Sequence, residues 1–136
     1  DDTVPASARE RLVDAVRDGH CGLVPEAQLP AMARTQIAPE DALAATIAAS
    51  AHGASSEAVV LLLTGAMHAS RATGVPLHLP RHAPSLAVRS TAFVPEGQPA
   101  PEGFDERRPA QAQPSRDHCA DLRERGMPTI TSPASR

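Results

Sequence analysis

The 136-residue sequence contains no lysine, asparagine, tyrosine or tryptophan, and it has only two phenylalanines. Its 13 arginines are scattered among 16 acidic residues, and the formal net charge is −3. Nucleic-acid binding needs a concentrated positive surface and aromatic side chains that stack on bases, and this sequence has neither. The arginines accompany an excess of alanine and proline, a bias that is typical of a GC-rich bacterial genome. We therefore expect no nucleic acid among the partners.

Long apolar runs are also absent. The longest run, Ala58 to Leu63, is far shorter than the roughly 20 residues that cross a bilayer, so we expect no transmembrane span. Hydrophobic residues make up 41% of the chain, but 26 of them are alanines. With a low net charge as well, the composition predicts one small globular domain with a thin core rather than a disordered chain. Because the sequence shows neither an initiating methionine nor a signal peptide, we expect it to begin after processing or within a longer gene product.

Helical periodicity dominates the first part of the chain. Apolar residues at helical spacing predict a helix over Thr3–Arg17, and a second helix follows it. Pro39 lacks a backbone donor, so the sequence predicts that a new helix begins there. Glu40 and Asp41 would then lie at the positive end of this helix, which ends at His52.

Two segments predict strands. Glu57–Thr64 carries five large apolar residues in a row without alternation, the pattern of a strand that is covered on both faces. Leu86–Val94 alternates weakly and predicts a second strand. The predicted fold class is therefore α/β, with helices followed by a buried strand and a second strand of a mixed sheet.

The composition divides the chain into four segments. Residues 1–94 hold the predicted helices and both strands, and residues 95–114 contain five prolines, which predict an extended connector rather than a packed element. Residues 115–126 predict a C-terminal helix that packs back on the domain, and residues 127–136 predict a frayed tail.

The strongest candidate site is Gly65-x-x-His68, directly after the predicted buried strand. Gly65 permits a sharp exit and delivers His68 to the carboxyl end of the sheet, where α/β proteins bind ligands. A neutral imidazole can ligate a metal or haem iron, and Met67 is a possible soft axial ligand. Arg71 is placed to form a bidentate hydrogen bond with a carboxylate such as a haem propionate. The alternative is that His68 only hydrogen-bonds a neighbouring loop carbonyl.

The two cysteines lie in identical dipeptides, His20-Cys21 and His118-Cys119. A shared zinc ion is disfavoured, because structural zinc sites usually pair ligands about two to four residues apart. A disulfide between Cys21 and Cys119 would tie the C-terminal helix across the proline-rich connector in an oxidising compartment. Two unpaired, buried thiols are the alternative.

Other candidates for chemistry are weak. His78 and His82 are four residues apart, but Pro80 between them disfavours the helix that would align them, so a solvated loop is expected. The sequence has no phosphate-binding glycine loop, no Ser-His-Asp order and no His-Glu-x-x-His stretch.

Five motifs follow one another in a recognisable order: Gly19-His20-Cys21-Gly22 with Pro25, Met32 with Gln36, Gly65-x-x-His68 with Gly74-Val75-Pro76, Ser85–Val94, and Cys119-Ala120-x-Leu122-Arg123. This order resembles the ChaN-like family of haem-binding uptake lipoproteins of Gram-negative bacteria. The family lies within the larger group that includes Tiki proteases and erythromycin esterase. The resemblance implies an α/β domain that binds haem for iron acquisition, in the periplasm or anchored to the outer membrane.

The resemblance also implies that residues 1–94 are the C-terminal part of such a domain. Family members open with an upstream strand bearing a Gly-Glu-x-His-like motif, and a signal and lipid anchor would precede it. The usual Gly-Asn-Gly-His appears here as Gly65-Ala66-Met67-His68, and Pro39-Glu40 stands where an Arg-Asp pair is usual.

The resemblance implies that Gly65, Met67, His68 and Arg71 form the haem site. Because tyrosine is absent, any phenolate that holds ferric iron must come from outside this chain. The candidates within the chain are His68 and Met67, and the upstream part of the domain or a second copy sharing the haem would supply the rest. An outer-membrane haem receptor is the implied protein partner. The alternatives are a divalent-metal-dependent hydrolase, in which His68 is a metal ligand, and a non-catalytic remnant.

Overall fold

The structure is a computed structural model that describes residues 4–52, 55, 58–112, 114 and 116–125. Its elements in chain order are α1 (Ala6–Gly19), a short 3-10 helix (Glu26–Gln28), α2 (Leu29–His52), α3 (Ala66–Ala69), α4 (Val75–His82), β1 (Thr91–Pro95), β2 (Glu106–Ala110) and α5 (His118–Arg125). Helices come first and a two-stranded parallel sheet follows, which confirms the predicted α/β class.

The core forms where α2 packs against α1 and α4. Residues of α1 spaced four apart face α2, because side chains at this spacing share one side of a helix. Two apolar clusters result. The first contains Val4, Ala8, Leu12, Val16, Val24, Leu29, Ala33 and Ile37. The second contains Ala44, Val75 and Leu79, with Leu43, Ile47, Leu62, Leu86 and Val88 packed against it.

The helix α2 runs through Pro39 without a break, so the predicted restart at that residue is wrong. A proline inside a helix removes one backbone hydrogen bond and usually bends or ends the helix. Here burial on both sides of the proline opposes a break, since Ile37 lies in the first cluster and Ala44 in the second. One long helix therefore connects the two parts of the core.

The buried strand predicted for Glu57–Thr64 is also wrong. Glu57 lies outside the described residues, and residues 58–64 are assigned to no strand. Val59, Leu61 and Leu63 are 86%, 76% and 80% exposed, whereas Leu62 packs against the second cluster. A strand of consecutive apolar residues is buried only when other elements pack on both of its faces. The described residues pack on one face of this segment.

The sheet is parallel rather than mixed within the described residues. β1 corresponds to the end of the predicted strand, with Ala92 and Val94 buried and Phe93 largely exposed. β2 lies inside the segment that the prolines predicted as an unpacked connector, and Thr91 pairs with Glu106 at the start of the ladder. The connector prediction is therefore wrong at β2, because a strand that pairs along one edge tolerates a proline such as Pro109.

Helix α5 spans His118–Arg125, within the segment 115–126 that was predicted as a helix, and buries none of its residues. The tail predicted for residues 127–136 lies outside the described residues. Within the described part of the chain, no helix combines the length and the apolar character that crossing a bilayer requires.

The solvated loop predicted around Pro80 is wrong, because these residues form α4. Pro76 occupies the first turn, where a missing amide costs little, and Val75 and Leu79 are buried in the second cluster. His78 is only 2% exposed.

The buried imidazole of His78 makes stability depend on pH. Burial lowers the pKa of His78, with the nearby Arg81 and His82 acting in the same direction and the carboxylates of Asp41 and Glu40 opposing it. A histidine with a depressed pKa in the folded state stabilises the fold above its unfolded pKa of about 6.5, and that stability is lost as pH falls below this value.

We expect the free energy of unfolding to fall between pH 7.5 and pH 5.5, with a slope from this group of at most about 1.4 kcal/mol per pH unit. Urea unfolding across this range should give a shallower dependence for His78→Gln than for the unmodified chain. His52→Gln, at an exposed position, is the control. An identical pH dependence in His78→Gln would remove this explanation.

Candidate functional site

Helix α3 presents two side chains with donor atoms. The helix begins after Gly65, whose carbonyl accepts hydrogen bonds from the amides of His68 at 3.0 Å and Ala69 at 3.2 Å. The side chain of His68 is 45% exposed and Met67 is 41% exposed. One short turn therefore brings an imidazole and a thioether to the surface side by side.

The position of this turn is fixed by backbone packing against Gly74. A Cβ atom at Gly74 would overlap the backbone carbonyls of Met67 and His68. The Gly74 amide donates to the carbonyl of Ser70 at 2.8 Å, and the Thr73 hydroxyl donates to the carbonyl of Met67 at 3.1 Å. The start of α4 is thus in direct contact with the turn that carries the imidazole.

A buried carboxylate from α2 holds the imidazole. Oε1 of Glu40 forms a hydrogen bond with Nδ1 of His68. Glu40 is only 5% exposed, and its Oε2 has no hydrogen-bond partner within the described residues. Because an ionised carboxylate only accepts hydrogen bonds, Nδ1 of a neutral His68 carries the proton and Nε2 carries the available lone pair. Metal-ligating histidines commonly donate their other N–H to a carboxylate in this way.

A cavity of about 240 Å³ adjoins the Glu40–His68 pair and lies between α1, α2 and α3. Its lining residues are Leu12, Ala15, Val16, Gly19, His20, Gln36, Glu40, Met67, His68 and Thr73. His20 brings a second imidazole, whose Nδ1 hydrogen-bonds the carbonyl of Val16 at 2.7 Å. The cavity therefore combines two imidazoles, one thioether and one buried carboxylate.

A larger groove of about 830 Å³ lies between α1 and α2, away from His68. Its charged side chains include Arg17, which is paired with Glu26 at 2.9 Å and with Asp14 at 2.5 Å. The smaller cavity is the candidate functional site. That cavity holds both the partly exposed imidazole and the buried carboxylate oxygen that lacks a partner.

Arg71 does not line this cavity. Its Nε donates to the two carboxylate oxygens of Asp105 at 2.9 and 2.8 Å, and its Nη2 donates to the carbonyl of Val88. Asp105 also accepts a hydrogen bond from the amide of Ser90 at 2.7 Å. The hydrogen bond from the Ser90 amide is the largest cause that lowers the pKa of Asp105, and the hydrogen bond from the Arg71 guanidinium is the second. Arg71 therefore joins the end of α3 to the segment before β2.

Cys21 and Cys119 are joined by a disulfide, with Cα atoms 5.5 Å apart across a sequence separation of 98 residues. The chain has no free cysteine. Cys21 and Gly22 have φ values of 56° and 67°, so the chain turns sharply directly after His20. The disulfide attaches α5 next to the loop that supplies the second imidazole of the cavity.

Sequence reasoning missed Glu40 and His20 as residues of the site. It assigned Glu40 to the start of a helix, whereas Glu40 lies in line with the buried positions Ala33, Ile37 and Ala44. A charged residue on an otherwise apolar helical stripe is the signal that identifies it, since buried charges need a partner.

No group of three or more His, Cys, Asp or Glu side chains that could hold a metal ion is found in the described part of the chain. Glu40 and His68 approach each other, and His20 lines the same cavity, but they do not form such a group.

Comparison with protein-family models matches residues 2–79 to a family described as haem-binding uptake, Tiki superfamily, ChaN. The match covers α1 to most of α4, including His20, Glu40, Met67 and His68. No match is found among curated proteins, and none among solved structures.

Proposed function

Because the chain belongs to the haem-binding uptake family ChaN of the Tiki superfamily, we propose that it takes part in iron acquisition in the bacterial cell envelope, with His68 as the ligand of the haem iron. The observation that carries this proposal is the arrangement of one imidazole. His68 is about half exposed beside a cavity, and its Nδ1 is held by the buried Glu40.

The donor atoms fit haem iron. Imidazole nitrogen and thioether sulfur are both axial ligands of haem in proteins, and His68 and Met67 supply them from one turn. Gly65 precedes that turn with an extended backbone (φ −66°, ψ 156°) that any residue can adopt, so the sharp exit expected at this glycine is not observed. We do not assign Arg71 to a haem propionate, because its guanidinium is already held by Asp105. Bound haem would supply an iron centre that accepts His68, and the protein would orient and hold that ligand.

The size of the cavity favours a haem that is held on one face. Cavities that enclose small-molecule ligands have volumes of roughly 300–1,000 Å³. The cavity beside His68 has about 240 Å³. We propose that haem lies across its mouth and that a second copy of the chain, sharing the haem, covers the other face. An outer-membrane haem receptor is the partner that suits such an open carrier.

The disulfide supports a location outside the cytoplasm. Bonds such as that between Cys21 and Cys119 persist in oxidising compartments, among them the bacterial periplasm. A role in haem uptake agrees with this location. We therefore propose that the protein is periplasmic or anchored at the outer membrane.

Titration with hemin tests the proposal. We expect the unmodified chain to shift the Soret band of hemin, and we expect His68→Ala to weaken binding by more than the roughly 10–100-fold that loss of an outer-shell partner usually costs. His52→Ala, at an exposed position at the end of α2, is the matched control and should bind as the unmodified chain does.

Two results would overturn the proposal. One is the absence of a Soret shift in the unmodified chain, and the other is equal affinity in His68→Ala. Elemental analysis provides a separate check, because a divalent-metal-dependent hydrolase would retain a stoichiometric divalent metal, whereas a haem carrier would not.

A further inference from the structure

We infer that Glu40 is the positioning residue of the haem ligand: its buried carboxylate orients His68 and gives the imidazole an anionic character that favours ferric over ferrous haem. This inference rests on the proposed function. It adds to that function a preference of the site for ferric over ferrous haem.

The first support is the unusual environment of Glu40. Its side chain is 6% exposed, and it lies on the face of α2 that otherwise buries Ala33, Ile37 and Ala44. Burying an ionised carboxylate is costly unless it is paired and hydrogen-bonded. Among the described residues, Oε2 has no partner and Oε1 is bonded to His68. The hydrogen bond to the imidazole is therefore the main interaction that the described residues provide for this buried carboxylate.

The second support is the way in which both partners are held. Glu40 lies near the middle of the longest helix, between the two apolar clusters. His68 lies on a turn whose carbonyls are in contact with Gly74. Glu40 lies in α2 and His68 in the short helix α3 that contacts Gly74, so packed backbone sets the Oε1–Nδ1 contact. A ligand that is oriented in this way loses little freedom when it binds iron.

The effect on oxidation state follows from charge. A carboxylate that accepts the Nδ1 proton makes Nε2 more basic, and this effect is larger in a buried, low-dielectric setting. Ferric iron carries one more positive charge than ferrous iron, so a more negative ligand stabilises the ferric state more. Hydrogen bonding to the ligand and burial are two of the ways in which proteins tune haem iron.

Two substitutions separate charge from orientation. Glu40→Gln keeps the side-chain length and an acceptor oxygen but removes the charge. Glu40→Leu removes both the charge and the acceptor oxygen. Hemin affinity is measured by Soret titration, first in the ferric state and then under dithionite in the ferrous state. We expect Glu40→Gln to lower ferric affinity by about 10–100-fold and ferrous affinity much less, so that the ratio of the two affinities falls at least about tenfold. Glu40→Leu should also lower this ratio and should weaken binding in both states.

The outcomes distinguish the inference from the function on which it rests. If the unmodified chain does not bind hemin, the proposed function fails. If the unmodified chain binds through His68 and both Glu40 variants keep the ferric-to-ferrous ratio, the inference is overturned and the function stands. Thermal unfolding without hemin shows whether each variant folds. If Glu40→Gln does not fold, the ratio in Glu40→Leu decides the question, because a purely structural role would weaken both oxidation states equally.

Discussion

The substitution Gly74→Ala is expected to lower the free energy of unfolding by about 3 kcal/mol, the upper end of the usual range for overpacking. A Cβ atom at this position would overlap the backbone carbonyls of Met67 and His68. Backbone atoms cannot rotate away as the end of a long side chain can, so α3 and α4 must separate. The same movement should displace His68 from Glu40. Urea unfolding measures the loss of stability, and hemin titration measures the loss of binding.

Gly19→Ala is the matched control for the unfolding measurement alone, because Gly19 lines the cavity beside His68. Gly19 ends α1, and a Cβ atom there would meet nothing within 4 Å. Its effect on stability should be less than about 1 kcal/mol in either direction. Equal losses of stability in the two variants would show that overlap of the new Cβ atom with α3 does not cause the destabilisation in Gly74→Ala.

Loss of the disulfide is expected to have the other large effect. A bridge that closes a loop of roughly 100 residues restricts the unfolded chain by an amount equivalent to about 4.7 kcal/mol. The bridge between Cys21 and Cys119 spans 98 residues. Because α5 buries none of its residues, reduction should release it before the core unfolds. A released helix of eight residues is too short to persist in water. We therefore expect the core to lose less than the full 4.7 kcal/mol.

Hydrogen exchange at residues 118–125 measures the release of α5, and thermal unfolding measures the loss of stability of the core. Both are recorded with and without dithiothreitol. The double variant Cys21→Ala with Cys119→Ala should behave like the reduced chain and should not respond to the reagent. Protection of α5 that survives reduction would contradict the expectation. It would show that contacts other than the bridge hold this helix.

The sequence predicted most accurately those features that depend on local periodicity. The spacing of apolar residues in α1 and the alternation of Ala92, Phe93 and Val94 are local properties, and the structure agrees with both. Pro39 and Pro80 misled the prediction, because the local cost of a proline was outweighed by burial of the flanking residues. Such burial depends on residues that are distant in the sequence.

The candidate site was only partly predictable for the same reason. His68 and Met67 were found because a glycine-led turn follows an apolar run. The partner of His68 is Glu40, 28 residues away on another helix, and only the packing of α2 against α3 brings the two together. The pairing of Arg71 with Asp105 spans 34 residues and was not predicted.

We expect the exposed apolar residues of the segment 58–64 to make the chain prone to aggregation. It offers six consecutive apolar residues, Ala58 to Leu63, with no charge or proline to interrupt them. Val59, Leu61 and Leu63 form an exposed row on a backbone that is paired with no strand in the described part of the chain. Such a row is a template for intermolecular β-pairing. A single lysine in place of Leu61 would act as a gatekeeper and keep concentrated preparations of the chain dispersed.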